Sequence, residues 1–540
     1  MNLTKAILRV LSKKERLYLF GTLSLFVVSS IARIAVAVQE NSDWAAISGG
    51  AYKEGVVGQP TTINPVVSTN PADEDIGSLI YSRLSSLLFN YEVENEGRVY
   101  AIKLKENLKW NDGKSLTSDD VIFTIKTIQD PETRSPFLKN WQGVMIERVS
   151  ELQIRFTLPA PYTFFPNNLE RLPIIPKHIF ENIPPTNFKL SAYGLEPVGS
   201  GPYRFEGYSK KRDGFITEYH LVANENYEGQ KPFIKDFYFK FYENYDDMLK
   251  ALRLREINGF GVLNPLEIEN KTNKLSKIVV NKIEMPRYYA IFFNPNINSV
   301  LKNAELRHAL TEAIDKQKIV REIFEDGGKA VAGPLNKELT GIETEDSNSF
   351  NPERAKSRVE SLKNPAIELN LLVPKVDFLE ETAKIIKDEW LEAGIKNVNL
   401  IVLEPNDILE SAVKTNNYEM LLFGNVLENP KDLFAFWHSS QRFFPGLNLS
   451  LYQNLKVDSL IENIRQTDDE EKQKEFLKEA ETLIVKDAPA IFLFSLLYEY
   501  VHVKNLGGFE MSETGKFIIN SSDRFNDVSK WSVARARIIK

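Results

Sequence analysis

Cysteine is absent from all 540 residues. Disulfides, thiolate zinc centres and cysteine nucleophiles are therefore excluded. Histidine is scarce, with 5 in the chain, and the five are scattered, so nothing supports a nickel, haem or other metal site. An excess of positive charge is missing too. Lys plus Arg is 67, Asp plus Glu is 74, and the net charge is -7. A nucleic-acid partner would favour a basic surface, so none is expected. Internal repeats and low-complexity segments are also lacking. No Ser, His and Asp set stands in a recognisable nucleophile elbow, so a surface hydrolase would need a triad assembled only in space.

What is present is a soluble-type body behind one long apolar run. The apolar fraction is 43% and the charged fraction 26%, as in ordinary globular proteins. The length predicts two or three domains. Lys5, Arg9, Lys13, Lys14 and Arg16 precede the apolar run Leu17 to Val38, which only Arg33 interrupts. Basic residues before such a run predict an inside amino terminus and an outside body. The run is roughly 22 residues, near the ~20 that span a bilayer. Arg33 lies toward its outer end, within snorkelling reach of the interface. Ala35-Val36-Ala37 offers a small-x-small cleavage site, so a retained anchor and a cleaved signal both remain open. Residues 39 to 47 read as a polar spacer.

The central stretch is Tyr288 to Val320. Tyr288 to Phe293 has strand length and composition. Asn294-Pro295-Asn296 breaks it as a turn. One amphipathic helix follows, capped by Asn303, with Leu306, Ala309, Leu310, Ala313 and Ile314 as its buried stripe; Arg307, Glu312 and Asp315 fall off that stripe. Asp75 to Phe89 reads as another helix. Thr117-Ser118-Asp119-Asp120 starts a third, with capping and no acid/base role. Residues 367 to 426 alternate as β-α-β-α-β, which predicts parallel strands. Ligands in such sheets bind at the carboxyl ends of strands. That rule places Gly424, Asn425, Val426, Leu427 and Glu428 at a cleft.

Several blocks carry a family pattern. They are Thr62-Ile63-Asn64-Pro65, then Trp110-Asn111-Asp112-Gly113 with Asp120-Val121-Ile122-Phe123-Thr124. Val198-Gly199-Ser200-Gly201-Pro202-Tyr203 follows, then Phe293-Asn294-Pro295-Asn296 with Glu305-Leu306-Arg307-His308-Ala309-Leu310, and Asp487-Ala488-Pro489. Together these resemble the extracytoplasmic solute-binding proteins of ABC importers, the peptide, dipeptide and nickel family, from about Ala51 to Asn526. The glycine turn lacks a following Gly-Lys-Ser/Thr, so it leads into a strand and cradles no phosphate.

The resemblance implies an α/β fold of the periplasmic-binding-protein type II kind, with mixed sheets and two lobes in three subdomains around a ligand cleft. Residues 1–16 would be a cytoplasmic basic segment and 17–38 the anchor or signal. Residues 48–85, 190–287 and 490–530 would form lobe I, 86–189 its small subdomain, 288–489 lobe II and 531–540 a basic tail. It implies no enzyme and no cofactor, but an extracytoplasmic monomer that closes over a peptide or other small solute. The closed form would meet a permease and its ATPase. A lipid-modified cysteine is the family's usual tether in bacteria without an outer membrane; here something else must tether the chain, or it is free. The candidate cleft residues are Phe423, Gly424, Asn425, Val426, Leu427, Glu428, Asn294, Tyr289, Trp141 and Trp437. One departure matters. Where the peptide binders place an Asp four residues before the loop proline, this chain has Val426, and Phe423 stands where they place Trp. An ammonium left unpaired there would be costly. Glu428 is the candidate substitute. A non-peptide solute, and a sensing or chaperone role on the same scaffold, stay open as alternatives.

Overall fold

A computed structural model describes residues 12–263, 277–325, 327–343, 349–362, 367–511 and 516–539. Lys5 and Arg9 of the basic segment lie outside the described residues. Three sheets organise the body. The first has seven strands in the order Ile278–Ile283, Tyr498–Val503, Gly259–Val262, Ala51–Val57, Asp236–Tyr242, Ile216–Ala223, Tyr203–Lys210. The second has six, in the order Gly328–Ala330, Ala490–Leu496, Arg287–Phe293, Met420–Val426, Glu368–Pro374, Asn397–Leu403. The third is a four-stranded antiparallel sheet built from Leu88–Glu94, Val99–Leu104, Gln153–Thr157 and Met145–Ser150. They are the two lobes and the small subdomain. One hydrophobic cluster runs through the first lobe and the small subdomain, and two more flank the central strand of the second lobe.

The alternating segment 367–426 folds as its pattern dictates. Glu368–Pro374 runs parallel to Asn397–Leu403 and to Met420–Val426, and the helix Asp377–Glu392 makes the first crossover. The central strand Arg287–Phe293 lies antiparallel between Met420–Val426 and Ala490–Leu496. Ala490–Leu496 therefore belongs to the second lobe. The chain recrosses at Leu497, seven residues beyond the expected boundary, because the next strand, Tyr498–Val503, pairs in the first sheet. The forward crossing is at 284–286.

Local chemistry corrects three more expectations. The helix expected over Asp75 to Phe89 spans Pro71–Ile80, with Asn70 as its cap. It stops because 81–83 turns extended: Arg83 bridges to Pro173, and the Ser82 hydroxyl donates to the Ser200 carbonyl at 2.8 Å. The single helix after Asn303 is two, Ala304–Glu312 and Lys316–Phe324. Asp315 breaks it by capping the second, accepting from the Lys318 amide at 2.9 Å. Glu312, expected off the buried stripe, is fully buried and held by Arg354 and Arg358, each at 3.0 Å. The capping box at Thr117 forms as read, with the Thr117 amide donating to Asp120 at 2.9 Å.

The amino-terminal helix spans Lys13–Glu40, and its window Lys13–Ile34 is long and apolar enough to cross a membrane with none of it buried. The expected spacer is a strand instead. Ser42–Ala46 pairs antiparallel with Arg535–Ile539, the basic tail, and the Arg537 guanidinium lies 5.5 Å over the Trp44 ring.

Candidate functional site

Between the lobes lies a cavity of about 300 Å³. Its size fits a small-molecule or short-peptide site. Each subdomain contributes a wall. The first lobe gives Ser68, Glu74, Ser78 and Tyr81, with Asn520 and Ser522 from the far end of the chain. The small subdomain gives Phe137, Asn140, Arg171 and Pro173, and the second lobe gives Val426 and Glu428.

The second-lobe wall comes from the carboxyl end of Met420–Val426. Val426 stands opposite Arg287 in the register and is 37% exposed. Glu428 accepts a hydrogen bond from the Asn140 amide group, which joins the small subdomain to the second lobe across the cavity mouth. Lys139 next to it donates to the Pro445 carbonyl at 2.7 Å. Burial lowers the Lys139 pKa, and the nearby Glu428 opposes that shift. A second contact ties the same two bodies. The Tyr162 hydroxyl donates to Asp432 at 2.9 Å, and the Arg465 guanidinium sits between the Tyr162 and Phe434 rings, at 4.5 and 4.2 Å. These contacts bridge the small subdomain and the second lobe.

The other expected site residues fall elsewhere. Gly424 underlies Tyr289; a Cβ there would meet the Tyr289 ring at 2.8 Å. Tyr289 itself packs edge-on against Phe378 and, with its ring tilted by 30°, against Phe494. Asn425 and Trp437 are buried, and both donate to the Tyr288 hydroxyl, at 2.9 and 3.0 Å. They form a polar knot inside the second lobe, away from the cavity. Phe423 is half-buried against the same core, and Leu427 is buried with its amide on the Pro286 carbonyl at 2.7 Å. Asn294 is buried in the turn it makes, accepting from the Asn296 amide at 3.1 Å and donating to the Asn416 carbonyl at 2.8 Å. Trp141 is 1% exposed and packs on Phe156 and Phe165 in the core of the small subdomain. Of the ten candidates only Val426 and Glu428 face the cavity. The two tryptophans fill cores because large rings bury area most effectively there.

The first-lobe wall was missed from sequence. Glu74, Ser78 and Tyr81 recur at helical spacing and make one polar stripe, hidden beside the apolar stripe of the same helix. Its charges are uneven. Arg83 and Arg171 both address Asp523, at 2.7 and 3.5 Å. Against the raising effect of burial they hold Asp523 down to about 2. Glu74 has no hydrogen-bond or ion-pair partner among the described residues. Burial, then the neighbouring Asp75 and Asp523, push it up to about 7, with only Arg171 opposing. Among the described residues no cluster of His, Cys, Asp and Glu could hold a metal ion.

The comparisons agree with this geometry. The chain is 25% identical over 530 residues to the oligopeptide-binding protein AppA of Bacillus subtilis, covering 90% of this chain and 92% of that one. It is 24% identical over 507 residues to the dipeptide-binding protein of Escherichia coli, covering 85% and 92%. The crystal structure of the ABC transporter substrate-binding protein CtaP of Listeria monocytogenes superposes with a TM-score of 0.77 at 25% identity, over 90% of this chain and all of that one. Residues 59–443 match the sequence model described as bacterial extracellular solute-binding proteins, family 5 Middle. With two lobes, a small subdomain and a three-walled cavity between them, the chain belongs to the family 5 extracellular solute-binding proteins.

Proposed function

We propose that the protein captures peptides outside the cytoplasm in the cavity between its lobes and delivers them to a membrane permease driven by an ATPase. The observation that carries this is the three-walled cavity, whose occupant would touch both lobes at once. A ligand shifts an open–closed equilibrium only through contacts it makes better in one state, and contacts to both lobes exist only when closed. The oligopeptide and dipeptide binders among its relatives support peptides as the solute class. Native mass spectrometry of the purified full chain, compared with the denatured chain, tests it. A ladder of mixed short peptides released on denaturation is the expected result. A single non-peptide mass would keep the receptor and change its solute.

The amino-terminal helix serves as a retained anchor in this proposal. The ordered ribbon Ser42–Ala46 begins two residues after the helix ends and is tied to Arg535–Ile539. The intact mass of membrane-extracted protein should then be that of the full chain; a mature chain starting near residue 38 would reverse this point alone.

Val426→Asp gives a sharper check. The position is at the cavity and partly exposed, so a carboxylate there keeps some solvent and faces the solute. Its affinity for a free-amine peptide over the N-acetylated form should rise roughly tenfold, the scale of one charge-assisted hydrogen bond. Calorimetric titration of both peptides reads it. An unchanged ratio would mean that the 426 position does not meet the solute's amino end.

A further inference from the structure

The cavity is lined by four charged side chains, and they are not equivalent. Arg83 and Arg171 are taken up by Asp523. Glu428 reaches over from the second lobe, bonded to Asn140 and near Lys139. Glu74 is left over. The carboxylates around it are accounted for without it. Asp73 accepts from the Thr61 amide at 2.6 Å, the Thr61 hydroxyl at 2.7 Å and the Thr62 amide at 3.1 Å. Asp75 is paired with Arg524 at 2.6 Å. Asp523 holds the two arginines. Among the described residues the arginines Arg83, Arg171 and Arg524 are each paired with a carboxylate other than Glu74.

Beside Glu74 two hydroxyls are also unsatisfied. Ser68 is 3% exposed and Tyr81 2%, both line the same cavity, and neither hydroxyl has a hydrogen-bond partner among the described residues. Buried polar groups without partners are costly and rare in a finished core. Both residues belong to the cavity wall, and their hydroxyl oxygens lie covered behind its surface.

We infer that the cavity takes a positively charged nitrogen of its solute, an ammonium or a guanidinium, at Glu74 on the first lobe, with Glu428 facing it from the second. This rests on the cavity being the solute cleft. An ammonium or guanidinium carries several N–H donors and no acceptor. It therefore matches a carboxylate on the cavity wall that no protein cation pairs. The carboxylate expected on the second-lobe loop is replaced by Val426, and Glu74 moves the charge recognition to the opposite wall. Closure would then bring Glu428 toward the same cation and make the closed form preferred only when that cation is present.

A pH dependence follows. Asp73 and Asp75 on its own helix, Asp523 and Arg171 from the segments packed against it, and Glu428 across the cavity are the charged groups around Glu74. Burial first, then Asp75, Asp523 and Asp73 against the opposing Arg171, push its pKa up to about 7. A bound cation favours the ionised form and lowers that pKa. Cation binding therefore strengthens as pH rises through about 7 and weakens toward acid.

Calorimetric titrations on the full chain at pH 5.5 and pH 8 test it, with wild type and Glu74→Gln compared. The probes are tetra-alanine, N-acetyl-tetra-alanine, N-acetyl-Ala-Lys-Ala-Ala and the non-peptide amine spermidine. At pH 8 an ammonium-bearing probe should bind at least about tenfold tighter than N-acetyl-tetra-alanine. Preference for tetra-alanine assigns the site to a peptide amino terminus, and preference for the lysine peptide assigns it to a side chain. The preference should shrink at pH 5.5 and vanish in Glu74→Gln at both pH values. Equal binding of blocked and free peptides by wild type would overturn the inference and leave the peptide receptor intact. So would a preference that survives Glu74→Gln. Binding of spermidine alone, lost in Glu74→Gln, would uphold the inference and defeat the peptide reading. Binding of none of the four would defeat both.

Discussion

Arg524→Met is expected to remove about 3–5 kcal/mol of stability, because it strands two buried carboxylates. Arg524 is 2% exposed and meets Glu54 at 2.9 Å and Asp75 at 2.6 Å. Its guanidinium also lies 4.0 Å over the Phe525 ring. The Tyr500 hydroxyl donates to Glu54 at 2.9 Å and is itself 2.8 Å from the Tyr52 hydroxyl. Two carboxylates thus share one cation deep in the first lobe. Burial pushes Glu54 up to about 7 even with Arg524 beside it, and the nearby Asp75 adds to the rise. Without the arginine Glu54 loses the cation that opposes this rise, so it must be protonated to stay buried. A group raised in the folded state contributes stability that is lost as pH rises through its folded value. The variant should therefore be weakest at pH 8 and recover part of the loss at pH 5.5. Urea unfolding at both pH values reads this. A loss equal at the two pH values would place the defect in packing around Phe525 and not in charge.

The network also links distant chain segments. Arg524 joins the strand Ala51–Val57 to the helix Pro71–Ile80, and that helix carries Glu74, Ser78 and, just past its end, Tyr81 into the cavity wall. Nothing local announces such a contact. Glu54 and Arg524 are separated by most of the chain, and a buried arginine has the same sequence signature as an exposed one.

That contrast runs through the whole molecule. Segments whose structure depends on local pattern were legible. The apolar strand before Asn294, the Asn303 cap, the Thr117 box and the β-α-β alternation over 367–426 all follow from spacing and turn chemistry. Where tertiary contacts decide, the pattern misled. Leu84, Leu87 and Leu88 extend the helical spacing of Ile76, Leu79 and Ile80. Yet Ser82 and Arg83 are drawn into extended bonds with Ser200 and Pro173, and the helix ends. The site divides in the same way. Of the five residues that the strand-end rule placed at a cleft, Val426 and Glu428 line the cavity and Gly424, Asn425 and Leu427 do not. Arg83, Asn140, Arg171 and Asn520 come from four segments that only the fold unites. Trp141 and Trp437, expected at the cleft, are both buried inside cores.

Gly199→Ala is the second change expected to have a large effect, and it joins a family motif to the cavity wall. In Val198-Gly199-Ser200-Gly201-Pro202 both glycines lie against the end of the helix Pro71–Ile80. The Gly201 amide donates to the Ile80 carbonyl at 2.7 Å, and the Gly199 carbonyl accepts from the Asn111 amide at 2.8 Å. A Cβ at Gly199 would stand 2.0 Å from the Ile80 carbonyl oxygen, and one at Gly201 would stand 2.6 Å from that of Leu79. Neither glycine needs a left-handed backbone, so the requirement is space alone. The nearest obstructing atoms are backbone and cannot swing aside as a side chain would. Overpacking usually costs about 1–3 kcal/mol, and a clash with main chain belongs at or above the top of that range. The relief available is to push the helix end away from the turn. That displaces Tyr81 and Ser78, and with them the wall that holds Glu74. Gly199→Ala should then lose solute affinity as well as stability, whereas Arg524→Met at pH 5.5 should lose chiefly stability. Melting temperature and peptide titration on the same sample distinguish these effects. A Gly199→Ala chain that melts and binds as wild type does would show that the turn has slack, and would free the motif from its tie to the cavity.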